Sequence, residues 1–138
     1  MSPRAYALLV AIVLGFFGLG ALVPGMAHSP PMEAPALIVP ECYGYVLGLF
    51  PVNALDSLLY LAFAGFGFLA WSRLASPITF ARLTGVCFAV LTVMGLIEPA
   101  STAFGLLPVF GMDVPLHACL AVTGILYGFV GERSASAA

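Results

Sequence analysis

Charge is what this sequence has least of. Its 138 residues include four arginines, no lysine and six acids, so 7% are charged and 62% are hydrophobic. A soluble domain is about one quarter charged, and a chain this small cannot cover a water-facing surface with so few charges. A net charge of −2 without a basic face excludes nucleic-acid binding. The same shortage of polar residues excludes disorder. Familiar catalytic signatures are missing too: there is no Gly-x-x-x-x-Gly-Lys, no His-Glu-x-x-His and no Gly-x-Ser-x-Gly. The three cysteines, Cys42, Cys87 and Cys119, form no Cys-x-x-Cys pair. The expectation is therefore a non-enzyme with no resident metal and no cofactor.

What the chain has instead is long apolar runs. A spanning helix needs about 20 mostly apolar residues. Four stretches qualify, at about 5–23, 54–71, 78–97 and 114–130. Pro24-Gly25, Pro51, Pro77, Pro99, Pro108 and Gly111 punctuate them. The runs are continuously apolar rather than alternating, so helices are expected and not barrel strands. With four spans, Arg4, Arg73, Arg82 and Arg133 all fall on one side, and basic residues near span ends mark the cytoplasmic face. Both termini are then cytoplasmic, in what reads as a bacterial inner membrane. A cleaved leader ending near Ala27 is the alternative, but its apolar core would exceed the roughly 7–15 residues of a signal peptide. The chain reads as one domain, 1–138.

The chain also partly repeats itself. Gly48-Leu49-Phe50-Pro51-Val52 returns 57 positions later as Gly105-Leu106-Leu107-Pro108-Val109. The same offset pairs Asp56 with Asp113, Tyr60 with His117 and Gly67 with Gly124. Upstream, Gly20 to Pro24 resembles Gly95 to Pro99. The fold class expected is all-α: a membrane four-helix bundle of two parallel helix-pair repeats, related by an axis along the membrane normal. The outer loop 24–53 is the longer one and holds Pro30, Pro31, Pro35 and Pro40. Proline keeps such a segment extended. It reads as a lid, a docking strap or a mobile connector without structure of its own.

Ionisable residues inside a membrane point to function. Asp113 and His117 are four apart and share a helix face, with His117 about 6 Å deeper. Asp56 and Tyr60 repeat the spacing, and Glu98 ends the third span at the same level. Asp56, Tyr60, Glu98, Asp113 and His117 together would make a polar, ligand-binding ring at the outer mouth. The plainer reading gives each a local task. Asp113 would cap the fourth helix, Asn53 with Asp56 resembles a capping box, and His117 would bond Asp113. The span centres hold no acid, lysine or arginine, which argues against coupled transport.

Small residues form stripes at Gly15, Gly85, Gly124 and Gly128, and such stripes let helices pack closely in lipid. Any stripe facing outward would recruit a partner. The first functional expectation is thus a non-catalytic accessory or packing subunit of a larger membrane complex or homo-oligomer, in contact with the lipid bilayer. The alternative is a small-ligand binding or permeation protein that uses the outer polar ring.

The segment Gly48-Leu49-Phe50-Pro51-Val52-Asn53, the glycine-rich helix after it, and Asp113 with Leu116-His117 resemble domain-of-unknown-function family 4383. Those are small bacterial membrane proteins with four helices and no assigned activity, and the resemblance covers about residues 48–130. It implies histidines after the Pro-Val-Asn turn. Here Asp56 and Tyr60 hold those places and His117 alone follows the pattern.

Overall fold

The computed structural model describes residues 1–130. It holds four helices long and apolar enough to cross a membrane: α1 (Pro3–Gly20), α2 (Ala54–Trp71), α3 (Pro77–Leu96) and α4 (Asp113–Ile125), the last continued by a wider π-type turn over Leu126–Val130. Arg133 and the C-terminal end, on which part of the sidedness argument rests, lie outside the described residues.

Local chemistry sets most of the helix starts. Ser2 Oγ accepts from Ala5 N at 3.2 Å, ahead of Pro3, and Ser76 Oγ accepts from Thr79 N at 3.2 Å, ahead of Pro77. Each supplies an acceptor for one orphan amide, and proline in the first turn loses no helical bond. Asn53 Oδ1 caps α2 through Asp56 N at 2.9 Å. No side chain caps α4, which starts after Met112.

Helices α1 and α2 form one tightly packed antiparallel pair, and α3 and α4 the other. Lipid gives apolar helices little reason to associate, so close packing does the work. A Cβ on Gly124 would strike the Gly85 backbone, and one on Gly85 would lie 2.7 Å from Ile125 N. In the first pair, a Cβ on Gly67 would lie 2.9 Å from both Ala11 Cβ and Ala7 O. The two pairs are packed alike. Buried Tyr6, Ala7, Val10, Ala11 and Leu14 of α1 stand where Phe80, Ala81, Thr84, Gly85 and Phe88 stand in α3, 74 positions later. That register is one residue off the match of Gly20–Pro24 with Gly95–Pro99. Both Gly-Leu-x-Pro-Val turns begin with a left-handed glycine (φ 70° at Gly48, 88° at Gly105) and end in a fully buried valine, Val52 or Val109. Of the four glycines expected to pack helices, Gly85 and Gly124 meet each other. Gly128 lies under Arg82, and Gly15 makes only an ordinary contact, 3.8 Å to Ala64 Cβ. The outward faces (Leu9, Ile12, Val86, Val90 and Val93 among them) are exposed and apolar, as lipid requires.

The ends differ. At one end Arg4 donates from Nε and Nη2 to Trp71 O, at 3.0 and 2.7 Å, and Arg82 Nε donates to Gly128 O at 2.8 Å. The other end is covered by the segment between α1 and α2. It is not without structure: it folds into a three-stranded antiparallel sheet of β1 (Ala27–His28), β2 (Gly44–Val46) and β3 (Phe50–Val52), in that order. Pro51 stands in the edge strand β3 opposite Tyr45, where its missing N–H does little harm. Val46 of β2 seats on Gly20 at the end of α1, and Phe50 packs on Phe17 with ring centroids 4.7 Å apart. The strap then reaches the other pair: Ile38 N donates to Gly105 O at 2.8 Å. Asn53 fastens this segment to the one between α3 and α4, because its Nδ2 donates to Val39 O at 3.0 Å and to Leu106 O at 2.8 Å. The segment thus has structure of its own and covers this end of both pairs.

Candidate functional site: a buried carboxylate pair

Beneath the strap, the first two turns of α2 and of α4 carry most of the buried polar side chains among the described residues. Asp56, Ser57, Tyr60, Asp113 and His117 are all fully buried. Tyr60 Oη and His117 Nε2 are 2.7 Å apart. These two residues are 57 positions apart, so the bond joins the very positions that the Gly-Leu-x-Pro-Val offset pairs. Asp56 and Asp113, one turn nearer the strap on the same two helices, are the other matched pair. They lie close enough to interact electrostatically with each other and with Tyr60.

The local tasks expected of these residues are not the ones they perform. Asn53 caps α2, but neither carboxylate oxygen of Asp56 has a hydrogen-bond partner, so the capping box is only half made. Asp113 makes no capping bond, since both its oxygens are likewise without partners. His117 does not bond Asp113: its Nε2 meets Tyr60, and its Nδ1 has no partner. An unpaired charge in a low-dielectric interior costs several kcal/mol, so such groups are ordinarily paired, neutralised or bound to an ion. Both acids do sit in the first turn of a helix, where the macrodipole favours negative charge. That contribution is at most about 2 kcal/mol and does not replace hydrogen bonds.

Of the five residues expected at the outer mouth, four come together and one does not. Glu98 lies past the end of α3 and is exposed. The four are also deeper than a mouth: they are sealed inside. Ser57 was not singled out by sequence reasoning, although a serine beside Asp56 in an apolar helix was a visible signal. Its Oγ is buried without a partner. Thr84 Oγ1, on α3, is in the same condition. Below the Tyr60–His117 bond lies fully buried Phe88, whose ring centroid is 5.2 Å from that of His117 and 6.2 Å from that of Tyr60. Phe63 packs edge-on to Phe88 at 5.2 Å. The site therefore has a polar upper part and an aromatic floor.

Among the described residues no group of three or more His, Cys, Asp or Glu side chains is placed to hold a metal ion together. The three cysteines are free thiols; Cys42 and Cys119 are exposed.

The model of one family, "Domain of unknown function (DUF4383)", matches residues 4–130. The chain belongs to that family. The match takes in all four helices as well as the strap, and so extends well upstream of residues 48–130, where the resemblance is legible by eye. No curated protein and no solved structure matches the chain. Within this DUF4383 chain the site must therefore be read from its own chemistry.

Proposed function

We propose that this protein is a non-catalytic integral membrane protein that binds a small polar or charged ligand inside its bundle, under the strap. One observation carries the reading. Two carboxylates and an imidazole nitrogen are fully buried without partners, beside a Tyr60–His117 bond that fixes the adjacent groups. A purely structural bundle gains nothing from such groups, since apolar residues of similar volume would be as stable or more so. Ionisable residues kept at this cost inside a membrane mark a working site.

Binding is favoured over permeation. The aromatic floor at Phe88 and the Gly85–Gly124 contact below it close the way to the arginine end. The accessory-subunit reading loses part of one of its supports, because Gly85, Gly124 and Gly128 of the small-residue stripes are engaged within the chain. On this reading the lipid bilayer is the only partner required. The matched turns, matched acids and matched helix registers support two parallel helix-pair repeats with the site on their common axis. The arginine end faces the cytoplasm of a bacterial inner membrane, and the strap faces outward.

The test is a gentle native purification followed by mass spectrometry of all that co-migrates. The expected outcome is a bound small molecule or ion that Asp113→Asn combined with His117→Ala releases. A stoichiometric protein partner, with no small ligand dependent on those residues, would overturn this reading in favour of an accessory subunit.

A further inference from the structure

We infer that the ligand is a hard divalent cation of the calcium type, held between Asp56 and Asp113. This deepens the binding reading above and rests on it. The donor set is the first argument. The unpartnered buried side-chain atoms of α2 and α4 are five oxygens (both of Asp56, both of Asp113, and Ser57 Oγ) and one nitrogen, His117 Nδ1, which is not gathered with both acids around one point. Oxygen-only sets suit calcium and magnesium, whereas softer metals take imidazole or thiolate. The imidazole here has its Nε2 engaged by Tyr60, and no thiolate is near enough to complete a three-ligand set.

Charge is the second argument. Two buried carboxyl groups are either protonated or, when ionised, balanced by two positive charges. The chain has no lysine. Arg4 and Arg82 hydrogen-bond Trp71 O and Gly128 O, at the opposite end of the bundle from the acids. A single divalent ion balances the pair, and calcium's tolerance of 6–8 oxygen ligands leaves places for water. Water would also reach His117 Nδ1 and satisfy it.

Placement is the third argument. Asp56 and Asp113 occupy equivalent first-turn positions on α2 and α4, one turn from the point where Tyr60 and His117 join those two helices. The strap supplies the cover, and Asn53 ties both outer loops over that point.

The experiment uses the full chain in mild detergent, stripped with a chelator and dialysed against radioactive calcium at mildly alkaline pH. The expected result is saturable binding of one calcium per chain. Asp56→Asn and Asp113→Asn should each weaken it by at least the roughly tenfold to hundredfold that loss of an outer-shell partner costs. The triple variant Glu33→Gln, Glu41→Gln, Glu98→Gln removes the remaining acids of the outer side and should bind as wild type does. Absence of saturable binding by the wild-type chain overturns the inference, and leaves a carboxyl pair that holds only protons. Binding that survives the Asp substitutions, or that disappears in the surface triple, overturns it as well. None of these results touches the broader binding reading, which stands or falls on the co-purified ligand.

Discussion

The two helix pairs are built alike and end differently. In each, a small residue on the second helix lets the first approach closely: Gly67 against Ala7 and Ala11, Gly124 against Ala81 and Gly85. In each, a left-handed glycine opens the turn and a buried valine closes it. Yet the first pair starts its second helix with a side-chain cap from Asn53, and the second pair has Phe110 at the matching position and no cap. The first pair offers a phenol where the second offers an imidazole. Backbone packing tolerates little variation, because every methyl group is felt where two helices touch. Tyr60 and His117 differ between the pairs, where their neighbours are side chains, each other and Phe88. The comparison thus separates the contacts that hold the bundle together from the polar site proposed to bind a ligand.

The largest test breaks the shared part. Gly124→Leu forces a side chain into the Gly85 backbone and should cost about 3 kcal/mol or more. Gly67→Leu should cost a similar amount if the pairs are equivalent. Denaturing-detergent titration of both variants measures this, and a large disparity would break the equivalence. The next test removes the difference. Asn53→Ala strips the cap from α2 and leaves Val39 O and Leu106 O without their donor, for a loss of about 2–3 kcal/mol. Proteolysis within residues 24–53 should speed up in parallel. A smaller effect is expected at the axis. Tyr60→Phe leaves His117 Nε2 without its partner and should cost about 1–3 kcal/mol. Exchanging the pair, as Tyr60→His with His117→Tyr, should recover most of that loss in a double-mutant cycle. The smallest effect is at Gly15, whose counterpart in α3 is already Ala89. Gly15→Ala meets only Ala64 Cβ at 3.8 Å and should be neutral, or stabilising by up to about 1 kcal/mol.

Much of the frame was legible before any coordinates. Apolar length located α2 where it lies, and α3 and α4 (the latter with its π-type continuation) to within a residue, because lipid imposes one rule on every spanning segment. The end of α1 was placed late: Leu22 and Val23 are apolar enough for a helix, but Val46 takes the seat beside Gly20 and the chain turns there. The small sheet was not legible, since strands of two or three residues give alternation too short to read and prolines mask it. At the site, residue type and offset found Asp56, Tyr60, Asp113 and His117. Spacing along single helices then assigned their bonds wrongly, because it sees neighbours on one helix and not those across the bundle. Glu98 was grouped with them by depth alone, and depth says nothing about which way a loop residue turns.

The Tyr60–His117 bond has one more consequence. Were the two helix pairs separate copies of one short chain, matched positions facing each other would have to be the same residue. Any change to one would be imposed on the other. Joining the halves in a single chain releases that constraint. A phenol from one helix pair can then meet an imidazole from the other, a pairing that two identical residues could not make. Two helix pairs that pack alike thereby acquire unlike polar faces where they meet.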